Sequence, residues 1–409
     1  MFYNVYMDRN IYTTAIVGGG AAGLFLATQL QGKTVLFERG ERLGRKLSAT
    51  GNGQGNVTNL SASKKDYFSF SDDGKIETVL KTFPAQSCTE TLERLGLLLI
   101  ADERGRVYPA GRQASALTDA LRFQVANQGV ETRLHTRVTG FEKVDGVFRI
   151  QTDDGECFAR NLVLCTGGKA AKNFGTDGTA YALATAHGHT LTGLYPSLVQ
   201  LKTETKHTKT LKGIRVADAG VQAAWREKGK TYTQSLVGDI IFTDYGVSGD
   251  AVFRLSAFLV DKENVELSVD FLPDYTQERI FAALQAKKEN FPNIAVGELL
   301  CGMVNNQIAR AVMKRVDGDL FTAAKLVKSF TLPITGSLGF DYAQVTKGGV
   351  RMDEVDENLQ SRFVKGLYFA GEILDVDGQC GGFNLQWAYA SASTVARALN
   401  GEGRGHVCV

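Results

Sequence analysis

The chain has 409 residues, 44% of them hydrophobic and 22% charged, and 46 Lys+Arg against 44 Asp+Glu leave a net charge of +2. That length supports two or three domains with well-buried cores. The near-neutral balance gives no general argument for nucleic acid or an anionic membrane surface, and no run of roughly 18 apolar residues is present to span a bilayer.

Six cysteines (Cys88, Cys157, Cys165, Cys301, Cys380 and Cys408) are scattered without C-x-x-C spacing. Neither a zinc site nor a disulfide framework is expected. The stretch before Thr13 lacks a basic region followed by an apolar core, so it does not read as a secretory signal. A reduced, cytoplasmic protein is the expectation.

In chain order, Thr13 to Val17 is a β-branched run that reads as a buried parallel strand. Gly18, Gly20 and Gly23 follow at the spacing G-x-G-x-x-G, then a helical run to Gln31, then a second strand, Thr34 to Phe37, ending in Glu38. Gly18 permits the tight turn, Gly20 lets the backbone approach a pyrophosphate, and Gly23 lets helix and sheet pack. The helix start, with Ala21 and Ala22, offers unpaired N–H groups and a positive dipole end to phosphates. Glu38 stands where a carboxylate accepts from the ribose hydroxyls of an adenosine. Strand, triplet, helix, strand and acid in that order predict a dinucleotide site.

The loop from Gly40 to Asn59 is polar, glycine-rich and long, which marks it as functional rather than packed. Ile76 to Leu97 reads as helical, Arg104 to Tyr108 as a short strand, and Ser115 to Gln128 as a helix. From Val138 the period changes to two, with Asp145-Gly146 and Asp154-Gly155 as turns, predicting an antiparallel meander. It runs into the apolar strand Leu162 to Cys165 and a second glycine turn at Thr166-Gly167-Gly168. A short helix is expected from Gly178 to His187. Strands dominate from about Thr190 to Pro273, with a helix near Ser248 to Val260; helical spacing then runs from Thr276 to about Ser329.

Near the C-terminus, Leu367 to Ala370 is a buried strand with Gly371-Glu372 at its carboxyl end, where parallel sheets bind ligands. An acid there suits a polyol chain or phosphate-bound water. Gly381-Gly382 opens a final helix, a second anion-stabilising start. Two such starts suit an extended cofactor, one gripping the pyrophosphate and the other the pyrimidine end of a reduced flavin.

These pieces resemble the YhiN/BaiN-type flavoproteins, also known as aminoacetone-oxidase-like FAD-binding proteins. The matching segments are the first glycine fingerprint, Gly44-Arg-Lys-Leu with Thr50-Gly-Asn-Gly and Asn56-Val-Thr-Asn59, Cys165-Thr-Gly-Gly-Lys169, and Tyr195 to Leu201. Ile241 to Gly249, Thr346-Lys-Gly-Gly-Val350 and Phe369 to Trp387 follow. The resemblance covers nearly the whole chain in order. It implies non-covalent FAD and an α/β, Rossmann-like fold of the glutathione-reductase class, a parallel sheet plus antiparallel meander, with inserted β-barrel-like and small helical domains. The expected division is 1–189 with 333–409 for FAD, 190–275 with 326–332 for a β-rich substrate domain, and 276–325 for a helical insertion. The expected cofactor contacts beyond the first turn are Arg39, Lys46, Asn52, Gly53 and Asn56, then Val138, Thr166 and Gly167. Gly371, Glu372, Asp377, Gly382, Asn384 and Leu385 complete the set.

Two departures from the family pattern stand out. Gln54 and Gly55 replace a basic residue and a cysteine, and Asp244 and Asp250 replace a histidine and a proline. Both bear on the substrate side. No catalytic acid or base is identifiable. Cys380 is open to a redox or a packing role, Asp375 and Asp377 to cofactor contact or turn capping. Arg104, Arg106 and Tyr108 either face a carboxylate-bearing substrate or form a solvated strand face. Cys165 reads as core, and His187 and His189 as non-catalytic.

The expected activity is FAD-dependent oxidation or reduction of a small organic substrate, with NADH, NADPH or oxygen as redox partner. No second complete G-x-G-x-x-G follows residue 23, so a nicotinamide has to dock at the flavin face. A flavin-dependent tRNA modifier is the alternative, disfavoured by the lack of clustered Lys/Arg. A flavin sensor is the third reading. Neither nucleic acid nor membrane is an expected partner.

Overall fold

The computed structural model describes residues 10–401; the stretch before Asn10 and Cys408 lie outside the described residues. Contacts divide the chain into two units. One runs to Tyr195 and resumes at Val345; the other spans Pro196–Gln344.

The first unit is built on a seven-stranded sheet. Strand β1 (Ile11–Val17) and strand β2 (Thr34–Phe37) pair in parallel through helix α1 (Ala21–Ala27). Strand Glu131–Arg133 extends the sheet beyond β2. On the other side β1 pairs in parallel with the second half of the long strand Gly155–Leu164, which also receives Leu367–Phe369 in parallel. Its first half is the last strand of an antiparallel meander with Val147–Thr152 and Val138–Val144. One strand thus serves both kinds of pairing. Its apolar end, Leu162 to Leu164, is fully buried, as parallel strands require.

The C-terminal helix Phe383–Leu399 packs against α1. Trp387 and Tyr389 are buried on it, and Tyr389 meets Phe25 at 4.5 Å between ring centroids. The expected helix from Ile76 to Leu97 is two helices, Lys75–Thr82 and Ala85–Arg94, because Pro84 caps the second and cannot continue the first.

In the second unit six strands close into a barrel in the order Leu201–Thr203, Gly246–Ser248, Lys230–Phe242, Arg215–Glu227, Glu266–Asp270 and Phe330–Ser337. Helices Gln277–Asn290, Asn306–Arg315 and Leu320–Lys328 pack against it. Ile280, Leu284, Ile308 and Val312 share one apolar core with the barrel residues Phe242, Leu267 and Phe330.

Two histidines are structural. His187 stacks on Phe141 with centroids 3.9 Å apart. His189 is buried, with Nε2 2.7 Å from Ser361 Oγ and Nδ1 3.3 Å from Glu354 Oε2. Ser361 Oγ already accepts the N–H groups of Phe363 and Val364, so its own proton points at Nε2 and the ring proton sits on Nδ1. Burial holds both imidazoles below the ordinary 6.5, and for His189 the nearby Glu354 only partly offsets this. Below pH 6.5 the unfolded chain takes up protons that the folded chain refuses, so stability declines until pH passes the lowered folded values. Urea unfolding should show this loss between pH 7.5 and 5.5. The variant His189→Gln should cost about 1–3 kcal/mol at pH 8 yet flatten the decline; an unchanged slope refutes the assignment.

Candidate functional site: a two-ended dinucleotide cradle

The turn between β1 and α1 separates three glycines by role. Gly18 stands at φ +104°, and a Cβ there would lie 2.5 Å from the Cys165 carbonyl oxygen of the neighbouring strand. The two strand ends are drawn together by the Cys165 N–H donating to Val17 O at 2.8 Å. A Cβ on Gly23 would collide with the Gly18 carbonyl. These two glycines serve the protein's own packing. Gly20 differs: its φ of −80° suits any residue, and a Cβ there would meet nothing within 4 Å. Only a group outside the polypeptide needs glycine at that point. The N–H groups of Ala21, Ala22 and Gly23 precede the first helical bond, Leu24 N to Gly20 O, and are free to meet an anion.

Glu38 closes this end. Its Oε2 accepts the Gly19 N–H at 2.9 Å and its Oε1 the Gly40 N–H at 2.7 Å. Both oxygens are fixed in place, and each keeps a second lone pair for a ribose hydroxyl. The Glu38 carbonyl takes the Thr136 N–H, which brings buried Val138 to the same side. Arg39 reaches the loop after the second glycine turn, where it pairs with Asp177 at 3.0 Å and donates to the Gly175 carbonyl. Burial raises the Asp177 carboxyl, but Arg39 and Thr179 outweigh it and bring it to about 2. Arg39 therefore anchors a loop. In that loop Gly167 stands at φ +71°, and Thr166 Oγ1 is buried with no partner among the described residues.

The distant C-terminal motif meets α1 directly. Gly371, at φ +79°, would carry a Cβ 2.8 Å from the Ala22 Cβ. The final helix holds it there, with Trp387 Nε1 donating to Gly371 O at 3.1 Å and Gly371 N to Ser391 Oγ at 2.9 Å. Glu372 then pairs with Lys46 at 2.7 Å and accepts the Thr346 N–H at 3.0 Å. Thr346 Oγ1 accepts the N–H groups of Lys169 and Ala170 beside the second glycine turn. The sequence offered no signal for Thr346 beyond its place in a matched motif.

From Lys46 the chain enters tight 3-10 turns over Leu47–Gly53 rather than an unpacked loop. Leu47 is buried, Gly51 and Asn52 are left-handed, and Gly53 opens on free space. Asn56 follows, and its Oδ1 is buried with no partner among the described residues. Gly382, at φ +100°, sits against it: a Cβ there would lie 2.6 Å from that oxygen. Contacts therefore join Ala22 with Gly371 and Glu372 with Lys46 at one end, and Asn56 with Gly51 and Gly382 at the other. Asn384 supports this end by clasping the Gly378 N–H and carbonyl at 2.9 and 2.8 Å, and half-buried Leu385 packs behind it. Asp377 is buried in the pairing of Asp377–Gly378 with Tyr67–Phe68.

FAD fits this cradle on the molecule's own terms. Two helix starts, an open face at Gly20 and Gly53, and two orphaned buried oxygens at Asn56 and Thr166 match an extended, two-ended, polar ligand. Asp375 is structural: its Oδ2 accepts from Ser71 Oγ, Phe70 N–H and Ser69 Oγ at 2.6, 2.9 and 3.0 Å. Burial raises its carboxyl, and those donors with Thr192 pull it back. Cys165 is buried, which raises its thiol, and Cys380 is half-exposed. Arg106 is paired with Asp102 at 2.7 Å. Gly55, at φ +75°, would carry a Cβ 2.7 Å from Ala114 Cα, so this backbone has no room for a cysteine. Asp244 pairs with Lys212, and Asp250 with Arg254 inside the barrel unit. Among the described residues no His/Cys/Asp/Glu group is arranged for a metal, and no helix is long and apolar enough to cross a membrane.

The three glycines make separable predictions. Gly20→Val should fold within about 0.5 kcal/mol of wild type and lose FAD affinity at least ~10-fold, about 1.4 kcal/mol. Gly18→Ala and Gly23→Ala should instead destabilise the fold by about 1–3 kcal/mol. Urea unfolding of the apoprotein and fluorimetric FAD titration distinguish them; undiminished FAD binding by Gly20→Val refutes the cradle.

Residues 12–398 match the HI0933-like protein Rossmann domain family. The chain is 34% identical over 405 residues to a 3-dehydro-bile acid delta(4,6)-reductase of Clostridium scindens, covering 94% of this chain and 98% of that protein. It is 28% identical over 408 residues to a ribosomal RNA dihydrouridine synthase of Haemophilus influenzae, covering 94% and 98%. Among solved structures, 3-ketosteroid delta1-dehydrogenase from Sterolibacterium denitrificans matches with a TM-score of 0.50 at 13% identity, over 96% of this chain and 100% of that one, a likeness of fold. The chain belongs to the HI0933-like family and is an FAD-dependent oxidoreductase.

Proposed function

We propose that this enzyme reduces a carbon–carbon double bond conjugated to a carbonyl in a small organic substrate, using a reduced nicotinamide as electron donor. Two relatives with different names support one chemistry. A 3-oxo compound with Δ4 and Δ6 double bonds is a conjugated dienone, and dihydrouridine forms by saturating a uracil double bond conjugated to a ring carbonyl. In the enone reduction proposed here hydride adds to the β-carbon, a proton adds to the α-carbon, and NADH or NADPH leaves as the oxidised form. FAD, when bound, supplies the hydride step. The protein would position and polarise: the helix start at Gly382 would stabilise the negative charge that a bound flavin gathers on reduction.

The observation that carries the reading is the two-ended cradle, with an open face at Gly20 beside the Ala22–Gly371 contact and with Gly382 set against the unpartnered Asn56 Oδ1. A small organic substrate is favoured by the 34% identity to the bile acid reductase and by a net charge of +2, which leaves little surplus for phosphate contacts. RNA is the second reading, favoured by the names of the Haemophilus influenzae and Escherichia coli relatives. Among the described residues five cysteines are free, which suits a reducing, cytoplasmic setting.

The test is anaerobic. The holoenzyme should bleach with NADH or NADPH and recover its yellow colour on adding a 3-oxo-4-ene bile acid, with the saturated ketone as product. Recovery with a uridine-containing ribosomal RNA fragment alone, weakened by salt, selects the RNA reading. Reoxidation by air alone, with neither acceptor reduced, refutes the reductase.

A further inference from the structure

The segment 109–113 lies beside the flavin-end turns and carries a charge that the cofactor cradle does not use. Arg112 stands at φ +50°, a left-handed conformation that strains a non-glycine residue. This places its guanidinium over the ring of buried Tyr108, 4.2 Å from the centroid. Nη1 donates to Gln54 Oε1 at 3.4 Å. Among the described residues no carboxylate pairs with Arg112. Its neighbour Arg106, by contrast, is held by Asp102.

A guanidinium over a ring face keeps its donors in its own plane, and one neutral amide occupies only one of five N–H groups. Arg112 is exposed, so its remaining donors are left for an anion. A carboxylate matches those donors in a two-point contact. Gly51 connects this group to the cofactor end: its Cβ position is 3.7 Å from Tyr108 Cε1 and 3.0 Å from the Asn56 N, and Asn56 adjoins Gly382.

We propose that Arg112, held between Tyr108 and Gln54, is a specificity-determining residue that receives the carboxylate of the organic substrate. The inference rests on the enone-reductase reading above and adds the chemical class of the substrate's far end. An exposed guanidinium beside these turns also steers anionic substrates, an effect that salt screens.

Two probes isolate the charge: 3-oxo-4-cholenoic acid and its methyl ester, titrated into oxidised holoenzyme and read from the flavin's visible absorbance. The wild type should prefer the acid at least ~10-fold, about 1.4 kcal/mol, and less so at high salt. Arg112→Gln should bring the acid and ester affinities within about threefold, about 0.65 kcal/mol, with ester affinity retained. Arg112→Gly, which also relieves the left-handed strain, should do the same with a melting temperature no lower than wild type. An acid preference that survives both variants overturns the proposal, and so does equal weakening of acid and ester. If Arg112→Gln weakens a uridine-containing RNA oligonucleotide while the acid preference stays intact, the proposal is overturned in favour of a phosphate contact. If neither steroid perturbs the wild-type flavin spectrum, the enone reading falls and the carboxylate assignment with it.

Discussion

Close approach of backbone to backbone governs this protein. At Gly18 one strand end lies against the carbonyl of Cys165, at Gly23 the helix lies against Gly18, and at Gly371 the C-terminal motif lies against Ala22. Each contact excludes a Cβ. Together they bring the carboxyl ends of three parallel strands and the start of α1 into one small region. Interiors pack at crystal-like density, so a side chain inserted at any of these points has nowhere to go. The candidate cradle is the space left beside them, where a Cβ on Gly20 would meet nothing within 4 Å.

Around that frame the charged groups are positioned rather than left to wander. Glu38 is tethered by two N–H groups, Glu372 by Lys46 and Thr346, and Asp177 by Arg39. Exposed ion pairs contribute little to stability, about 0–1 kcal/mol each. Their value here is geometric, because a carboxylate already anchored costs less entropy when it accepts from a ligand. Asn56 and Thr166 are the complement: buried oxygens without partners, which are costly unless a ligand satisfies them.

The departures at Gln54 and Gly55 have a local physical setting. The left-handed backbone at Gly55 and its contact with Ala114 leave no volume for a larger residue. The amide of Gln54 meets Arg112, so positive charge stands beside this loop even though residue 54 carries none. That charge comes from a residue 58 positions further along the chain.

Local sequence determined a great deal. The order of strand, glycines, helix and acid from Thr13 to Glu38 specifies a βαβ dinucleotide turn, because glycine conformation, helix dipole and carboxylate chemistry are properties of neighbours. The period-two run from Val138 specifies the meander in the same way, whereas the helical spacing from Ile76 to Leu97 hid the break that Pro84 imposes. The pairing of Arg39 with Asp177, of Lys46 with Glu372 and of Arg112 with Tyr108 and Gln54 was not readable. Nor was the settling of His189 into a pocket with Ser361 and Glu354. Apart from Tyr108 and Arg112, those partners lie far apart along the chain, and no periodicity or motif spacing encodes which side chains meet once the sheet closes. Only folding decided them, since it alone sets distance, burial and the partner that each charge or polar atom finds.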